Sequence, residues 1–548
     1  VIFRATEQWF INMDQAAHDA AGQRDAAAKT LRQAALEQIH TVKWFPGWGE
    51  NRIHEMIAER PDWCVSRQRF WGVPIIVFFC ESCGKQLEDF AALRNVLKWF
   101  EREGADAWYR HSSEELLPAG TKCACGALKW RKENDILDVW FDSGSSHLAV
   151  LTGPGEWPAD ANLEGPDQYR GWFQSSLLIA IGLRGKAPYR QVITHGWTLD
   201  EQGRPMSKSL GNTMAPKEIC EKWGADMLRL WVASQDYQSD VRMSERVMTQ
   251  LSEAYRKIRN TFRFALGNLY DFDPARDALP NEQLEEMDRW MIERTAGLAQ
   301  RCRDWYWNDA AQSGYDFHRV YHAIHDFCVV DLSAFYFDVL KDRLYTKAAR
   351  NRARRSAQTA IYRITSALIR LLAPILVFTA EEVWHTLPKQ QGDPDSVHKA
   401  VFPEELELTQ KLNFGTKRQW EWLSTDGRSV VLAALEQARN NKTISSSLEA
   451  KVTLEGETPE AQEILARYRT ELRYLFIVSQ VELAKDGLAD GFRLDTVKGL
   501  AVKVERADGK KCARCWNYST RVGENDRYPT VCERCSEAIA EIEQSPPS

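Results

Sequence analysis

The sequence predicts a multidomain α/β plus α protein that ends in a metal-stabilised segment. Short apolar runs alternate with helical patterns between residues 51 and 214, which favours part of a parallel α/β sheet. Longer apolar stripes at helical period follow, and eight of the twelve cysteines fall in two tight clusters. A chain of 548 residues has room for about three to five domains of the usual size.

Composition narrows the class of protein. Hydrophobic residues make up 44% and charged residues 27% of the chain, as in soluble globular proteins. No apolar run approaches the roughly 20 residues of a membrane helix, so we expect no membrane partner. The chain starts at Val1 without the basic and apolar segments of a secretory signal. We therefore expect a cytoplasmic protein, and the start resembles a cut in a longer chain.

The net charge of −6 argues against indiscriminate binding of nucleic acid, although such a partner needs only a local basic surface. One run of basic residues is a candidate for that surface, but the same pattern is typical of a solvated helix face. Its members are Lys347, Arg350, Arg352, Arg354 and Arg355.

The first half contains runs of strand length. Residues 73–79 and 136–141 are apolar runs, and residues 191–199 alternate along one apolar face, so we predict a strand in each. The alanine-rich residues 16–38 predict a helix instead. Together these patterns indicate part of a layered α/β domain with a parallel sheet.

Two apolar stripes at helical spacing mark the middle of the chain. They predict the core face of an antiparallel helical bundle over residues 271–410. Pro374 should end or kink the second helix. The stripes are formed by Phe317, Val320, Tyr321, Ile324, Phe327 and Cys328, and by Ile361, Ile364, Leu368, Leu371 and Leu372.

The cysteines near the C-terminus have the spacing of a zinc ribbon. Cys512 and Cys515 form one C-x2-C pair, and Cys532 and Cys535 form a second pair sixteen residues later. Four thiolates complete a tetrahedral zinc site with no open position, so the predicted metal is structural. A redox dithiol or unmetallated thiols are the alternatives.

An earlier cluster is less regular. Cys80 and Cys83 precede Cys123 and Cys125, and the C-x-C pair makes a tighter turn than C-x2-C. Structural zinc is again the favoured interpretation, which brings the predicted total to two zinc ions.

The segment PMSKSLGN, from Pro205 to Asn212, predicts phosphate chemistry. It follows the turn residues Asp200, Gln202 and Gly203, so we expect Lys208 on a mobile loop. A lysine there can neutralise charge that develops on a triphosphate, while Ser207 and Ser209 donate to phosphate oxygens. The same string alone is also typical of a solvated turn.

Three further strings agree with the first and carry a family resemblance. They are WCVSRQRFWGVPI from Trp63, DVWFDSGSSH from Asp138 and EGPDQYRGWFQSS from Glu164. With PMSKS, which resembles the KMSKS signature, they resemble the class I aminoacyl-tRNA synthetases and, among these, the bacterial isoleucyl-tRNA synthetases. Pro205 stands where that family usually has its first lysine, which removes a charge and restricts the backbone.

The resemblance implies a domain order. Residues 1–50 are expected to return from an editing domain, and residues 51–214 to form half of a Rossmann-like catalytic domain with a zinc insertion at about 73–130. Residues 215–270 would connect along the tRNA stem, and 271–410 would form the anticodon-binding bundle. A mixed module at 411–500 and a zinc ribbon with its tail at 501–548 complete the order, and the final QSPPS is expected to be disordered.

The resemblance also implies the amino-acid site. Four residues of the EGPDQ string are expected to contact isoleucine or its adenylate, namely Glu164, Gly165, Asp167 and Gln168. Trp140 and Trp172 would flank the aliphatic side chain, although either tryptophan alone is more typical of a core. Asp142 and His147 receive no chemical role.

The expected activity is ATP-dependent ligation of L-isoleucine to its tRNA, with ATP and Mg²⁺ as substrate, by an enzyme that is monomeric when complete. The family's other signature, His-x-Gly-His, does not occur, and THGW at Thr194 is the nearest string. We therefore expect the isolated chain to be inactive. A valyl- or leucyl-tRNA synthetase fragment, or a non-catalytic tRNA-binding protein, is the alternative.

Overall fold

The computed structural model describes residues 6–16, 29–404, 408, 416–485 and 487–544. Two compact units divide the chain: residues 1–199 with 237–241, and residues 200–236 with 242–548. Most of the predicted alanine-rich helix, residues 17–28, and most of the QSPPS tail lie outside the described residues.

The first unit combines short strands with helices. Its strands are β1 (Phe10–Ile11), β2 (Lys43–Phe45), β3 (Trp63–Cys64), β4 (Ser66–Arg67), β5 (Phe78–Cys80), β6 (Trp130–Lys132), β7 (Ile136–Leu137), β8 (Asn162–Glu164), β9 (Gln191–Thr194) and β10 (Thr198–Leu199), and β11 (Val241–Arg242) lies at its end. Its helices are α1 (Leu31–Ile39), α2 (Trp48–Ala58), α3 (Phe90–Glu103), α4 (Ala107–Arg110), α5 (Ser113–Leu116), α6 (Val139–Gly144), α7 (Ser146–Val150) and α8 (Trp172–Arg184).

A three-stranded parallel sheet, ordered β2-β9-β8, confirms the predicted parallel α/β architecture. In register, Trp44 faces Val192 and Glu164 faces Thr194. Buried side chains of α1, α2 and α8 pack with the sheet residues in one apolar core. Because Glu164 is the last residue of β8, the fold delivers it to the carboxyl end of the sheet, where α/β folds bind ligands.

Three predicted strands are shorter than expected. The strand in residues 73–79 begins only at Phe78, and before it Pro74 forms only an isolated antiparallel bridge with Ile136. The strand in residues 136–141 ends at Leu137, where Asp138 caps α6 instead. These two strands also pair antiparallel, as β5 with β6 and β4 with β7, and are not part of the parallel sheet.

The predicted strand at residues 191–199 is interrupted after Thr194. Gly196 approaches residue 239 so closely that a Cβ there would lie 2.2 Å from the Ser239 carbonyl oxygen. The Gly196 N–H donates to the Tyr237 carbonyl at 2.7 Å rather than to a neighbouring strand. A contact distant in sequence thus ends the strand.

The segment that contains the first cysteine cluster has its own small core. Phe78, Trp108 and Trp130 are buried together with Val96 and Leu116, beside the β5–β6 pair. These residues lie within the range 73–130, for which the insertion stays a prediction.

The second unit is mainly helical. Its helices are α9 (Pro216–Trp223), α10 (Ala225–Ser234), α11 (Glu245–Gly267), α12 (Pro274–Asp277), α13 (Glu286–Tyr306), α14 (Phe317–Asp326), α15 (Phe337–Thr346), α16 (Arg352–Leu372), α17 (Val377–Thr386), α18 (Lys417–Trp422), α19 (Arg428–Asn440), α20 (Pro459–Arg467), α21 (Leu472–Phe476) and α22 (Glu533–Gln544). Its strands are β12 (Trp307–Asn308), β13 (Ser313–Gly314), β14 (Ala450–Gly456), β15 (Gln480–Leu483), β16 (Phe492–Leu494), β17 (Val497–Arg506), β18 (Lys510–Lys511) and β19 (Tyr518–Ser519).

Both predicted apolar stripes occupy a helical core. All five residues of the second stripe are buried, and α16 ends at Leu372, shortly before Pro374, as expected. In the first stripe Phe317 is only half-buried while the other members are buried. A ten-residue π-helical segment, Phe327–Tyr336, continues α14 into α15, a feature that the stripe did not reveal.

The basic run is not the exposed surface that we expected. Arg354 and Arg355 are buried at the start of α16, where each forms an ion pair with Asp271, at 2.9 Å and 3.8 Å. Their charges are therefore compensated within the protein. Arg350 and Arg352 remain exposed.

The C-terminal module is a mixed four-stranded sheet, ordered β15-β14-β17-β16. β14 pairs parallel with β15 and antiparallel with β17, and its burial alternates along the strand. The strands lie largely within residues 411–500, whose assignment as a separate module stays a prediction. Two expected boundaries nevertheless fall inside elements, since residue 50 lies in α2 and residue 500 in β17.

Candidate functional site

Asp200 anchors the lysine segment. Its buried carboxylate accepts hydrogen bonds from the Arg204 backbone N–H at 2.8 Å and from the Asn212 side-chain amide at 2.9 Å. Arg204 also forms an ion pair with it at 2.8 Å. The residue before the PMSKSLGN segment and the last residue of that segment thus bind one carboxylate.

The same contacts determine the charge of Asp200. The hydrogen bond from Asn212, followed by those from Arg204, lowers the pKa of the Asp200 carboxyl to about 2. Hydrogen bonds to a carboxylate favour its ionised form, so Asp200 stays charged at neutral pH.

Asn212 closes the segment from the inside. Its side-chain oxygen accepts from the Ser207 backbone N–H at 2.9 Å, and its amide also donates to the Pro205 carbonyl at 3.3 Å. Pro205 contributes only its carbonyl oxygen to these hydrogen bonds, so its lack of an N–H does not disturb them. The sequence predicts Asp200 only as a turn residue and indicates no role for Asn212, because both roles depend on contacts across the segment.

Lys208 begins a single 3-10 turn, Lys208–Leu210, rather than an open loop. The Leu210 N–H donates to the Ser207 carbonyl at 3.2 Å, and the Ser207 and Ser209 hydroxyl oxygens are 3.2 Å apart. A turn of this kind presents backbone N–H groups and two hydroxyls side by side, which suits an anion.

The EGPDQ string forms a compact corner after β8. Gly165 is buried, and a Cβ there would lie 2.6 Å from an Asp167 carboxylate oxygen. The Gln168 side chain donates to Asp167 at 2.9 Å and accepts from the Trp172 backbone N–H at 3.0 Å. Gln168 thereby links the corner to the first turn of α8, while the Glu164 side chain is exposed.

Both predicted tryptophans adjoin Gly171, Trp140 through space and Trp172 as the next residue in the chain. A Cβ at Gly171 would lie 2.8 Å from the Trp140 ring, so only glycine allows this approach. Trp172 follows directly and donates from its indole nitrogen to the Ser143 carbonyl at 2.8 Å. Trp140 is 41% exposed and Trp172 packs partly against the core, so Trp140 offers the more accessible face.

A cavity of about 250 Å³ opens beside Trp140 and Gly171. Arg60 and Arg67 contribute positive charge to its wall, and Trp63 lies under the Arg60 guanidinium at 5.4 Å. The cavity is therefore lined by one partly exposed indole, Trp140, and by guanidinium groups.

His147 is a packed residue. It is buried and accepts a hydrogen bond from the Trp157 indole at 3.2 Å, and burial lowers the pKa of its imidazole.

Both cysteine clusters bring four thiols together. In each cluster, the four Sγ atoms all lie within 4.8 Å of one another. Cys80 and Cys125 are 3.6 Å apart, and Cys515 and Cys532 are 3.7 Å apart. Tetrahedral zinc with sulfur at about 2.3 Å requires sulfur separations of about 3.8 Å, so these donor sets fit zinc.

Tight backbone turns hold the thiols of the first cluster. Gly84 and Gly126, at positive φ, donate from their N–H groups to the Cys80 and Cys123 carbonyls. In the C-terminal cluster, Trp516 takes the positive φ after Cys515, and Cys535 lies in the first turn of α22. In both clusters, short backbone turns thus bring the thiols of neighbouring cysteines together.

The lysine segment belongs to the second compact unit, whereas the EGPDQ corner, both tryptophans and the first cysteine cluster belong to the first. Along the helices that the structure describes, none is both long and apolar enough to cross a membrane.

Three family models match the chain. Residues 1–244 match tRNA synthetases class I (I, L, M and V), residues 288–454 match the anticodon-binding domain of tRNA ligase, and residues 509–538 match the zinc finger found in FPG and IleRS. The order agrees with the expected α/β half, helical bundle and ribbon. The second match continues past the predicted end of the bundle at residue 410.

Curated relatives match nearly the whole chain. The isoleucine–tRNA ligase of Syntrophotalea carbinolica is 49% identical over 98% of this chain and 55% of its own length. That of Moorella thermoacetica is 47% identical over 99% of this chain and 56% of its own length. The chain thus spans about half the length of the curated relatives it matches.

Similarity to solved structures is lower. The ternary complex of the Agrobacterium radiobacter K84 agnB2 LeuRS-tRNA-LeuAMS matches with a TM-score of 0.46 at 19% identity, over 64% of this chain and 44% of that chain.

Proposed function

Because the chain belongs to the class I tRNA synthetases, we propose that it is part of an isoleucine–tRNA ligase, which attaches L-isoleucine to its tRNA through isoleucyl-adenylate. Identity to named isoleucine–tRNA ligases along nearly the whole chain carries the proposal. It also favours isoleucine over the valine and leucine alternatives.

In the first step, the isoleucine carboxylate attacks the α-phosphate of ATP, and pyrophosphate leaves. We assign Lys208, Ser207 and Ser209 to the phosphates, with Mg²⁺ accompanying ATP. The anchored segment supports this assignment, because Asp200 and Asn212 fix the backbone before ATP binds. Preorganised donors stabilise developing charge without reorganising during the reaction.

The same step requires a site for the amino acid. We assign the isoleucine ammonium and adenylate to Glu164, Gly165, Asp167 and Gln168, and the aliphatic side chain to Trp140 and Trp172. The shared corner of these residues supports the assignment. The exposed Glu164 carboxylate offers a group for the ammonium, and the partly exposed Trp140 ring offers an apolar face for the side chain.

In the second step, a ribose hydroxyl of tRNA attacks the adenylate carbonyl, and AMP leaves. We assign the helical bundle and its adjoining module to the anticodon end of tRNA, in agreement with the matched anticodon-binding model. The two zinc ions proposed for the cysteine clusters would be structural, since four thiolates leave no position for substrate.

Pyrophosphate exchange tests the proposal. The chain should be combined with a separately made N-terminal half of a relative that carries His-x-Gly-His, and exchange should be measured with isoleucine, valine and leucine. We expect the highest kcat/KM with isoleucine. Preference for valine or leucine would replace the substrate assignment. Binding of tRNA without exchange in any combination would support the non-catalytic alternative.

A further inference from the structure

Asp138 lies outside the residues assigned to substrate, yet it holds the element that carries them. Its side chain is buried, and its Oδ1 caps α6 by accepting from the Trp140 backbone N–H at 3.2 Å. The helix that follows is only six residues long. So short a helix is not stable by itself and depends on its cap and its packing.

The second oxygen of Asp138 faces two other donors. Oδ2 accepts from the Trp63 indole at 3.2 Å and from the Arg67 guanidinium at 2.9 Å. Trp63 lies in β3 and Arg67 in β4, so one carboxylate joins three elements. Its position is therefore fixed on both sides.

Helix α6 is held equally firmly at its other end. A Cβ at Gly144 would lie 2.9 Å from the backbone carbon of Ser175, so α6 and α8 are in direct contact there. The Ser143 carbonyl accepts from the Trp172 indole at 2.8 Å. Movement of α6 would consequently shift Trp140 directly and release the hydrogen bond of Trp172.

We propose that Asp138 is a positioning residue for amino-acid specificity, which sets both tryptophan walls of the isoleucine pocket through α6. The inference rests on the proposed function. Isoleucine and valine differ by one methylene, whose recognition depends on how closely apolar walls approach the side chain. If a tryptophan wall moves outward, it loses contact chiefly with the methylene that only isoleucine has. Contacts with the part of the side chain that isoleucine and valine share are weakened less.

The test is the isoleucine/valine ratio of kcat/KM in pyrophosphate exchange, with the reconstituted enzyme described above. Asp138→Asn keeps an oxygen that can cap α6 but offers an amide to two donors at Oδ2. We expect the KM for isoleucine to rise and the isoleucine/valine ratio to fall at least about threefold. The ratio itself should lie within the roughly 10- to 200-fold that one methylene provides, a range for which isoleucyl-tRNA synthetase is itself the standard example.

Two further variants separate positioning from general stability. Arg67→Gln removes the ion pair from a side chain that is 42% exposed, so it should fold and lower the same ratio by a smaller factor. Asp160→Asn, in an exposed ion pair with Arg190 in the same unit, should leave the ratio unchanged.

The outcomes are distinguishable. A lower melting temperature with an unchanged isoleucine/valine ratio in Asp138→Asn and Arg67→Gln would overturn the inference and leave Asp138 a purely structural residue. Absence of isoleucine-dependent exchange in the unsubstituted reconstituted enzyme would instead overturn the proposed function.

Discussion

Lys208 is the residue of this chain whose removal we expect to affect rate most directly. In the reconstituted enzyme, Lys208→Ala should lower kcat for isoleucine-dependent pyrophosphate exchange by about 2.7 to 4 kcal/mol in transition-state stabilisation, the range for loss of one preorganised donor. The change should fall on kcat because the charge that Lys208 meets develops in the transition state.

Lys217→Ala is the matched control. This lysine lies in the same unit, its side chain is 86% exposed, and its ion pair with Glu221 is long, at 3.9 Å. It should leave the exchange rate unchanged. An unaltered rate in Lys208→Ala would remove Lys208 from the ATP site.

Asp200 gives a prediction about pH. Its pKa is lowered to about 2 in the folded protein, against about 3.9 for an unperturbed aspartate. A lowered folded-state pKa contributes stability above the unfolded value, and this contribution is lost as the pH falls from about 4 toward 2. Asp200→Asn should therefore reduce the urea midpoint at neutral pH, and the difference from the unsubstituted chain should shrink below about pH 4.

The exposed Asp490 of the same unit provides the comparison. Asp490→Asn should give a small difference in urea midpoint at every pH. A difference for Asp200→Asn that stays constant down to about pH 3 would contradict the assigned hydrogen bonds.

At the scale of elements, the cysteine clusters predict two zinc ions per chain. Metal analysis of the purified chain should give a stoichiometry near two, because both donor sets have the sulfur separations of a tetrahedral site. A value near one would remove the less regular first cluster, and a value near zero would remove both.

The C-terminal site should matter for the second step. In the reconstituted enzyme, Cys532→Ser should spare pyrophosphate exchange and impair transfer of isoleucine to tRNA, whereas Cys220→Ser, outside both clusters, should affect neither step. Equal damage to both steps would indicate that the ribbon stabilises the rest of the chain instead.

The helical bundle contains a buried carboxylate that joins three helical segments. Asp288 on α13 accepts from the Tyr336 hydroxyl at 2.8 Å, from Arg343 at 3.0 Å and from the Ser356 hydroxyl. Asp288→Ala should lower the free energy of unfolding by about 3 to 5 kcal/mol, because it leaves the Arg343 guanidinium, whose side chain is only 15% exposed, without its carboxylate partner.

Urea unfolding measures this loss. The Asp326→Ala variant is the control, since the Asp326 side chain is 74% exposed and lies 3.1 Å from His325. A loss below about 1 kcal/mol for Asp288→Ala would show that the bundle tolerates the unpaired guanidinium.

At the scale of the whole molecule, we predict that this chain alone does not activate isoleucine at an appreciable rate. The sequence has the lysine segment but no His-x-Gly-His string, and ATP positioned from one side only should lose much of the catalytic effect. Strand β8 also forms the edge of its three-stranded parallel sheet, and an edge strand can pair with another strand.

Reconstitution is the measurement. Pyrophosphate exchange should be absent for the chain alone and appear after an N-terminal half with the missing signature is added. The isolated chain should also associate or dissolve poorly. Substantial exchange by the chain alone would mean that the ATP site was assigned incorrectly.

The sequence alone determined the features that depend on residue type and local spacing. The C-x2-C pairs, the PMSKS segment and the helical stripe from Ile361 to Leu372 needed only neighbouring residues, and the structure confirmed the thiol clusters and the buried stripe. The family resemblance came from short strings of the same kind and was confirmed by the matched models.

Only the tertiary structure decided the features that depend on partners distant in sequence. The strand after Gln191 stops because Gly196 meets residue 239, and Arg354 is buried because Asp271 compensates its charge. The Asp138 carboxylate accepts a hydrogen bond from the Trp63 indole, 75 residues earlier in the chain. Local patterns can predict which residues favour a strand, a surface or a cap, but burial and hydrogen bonding between distant segments determine which preference is satisfied.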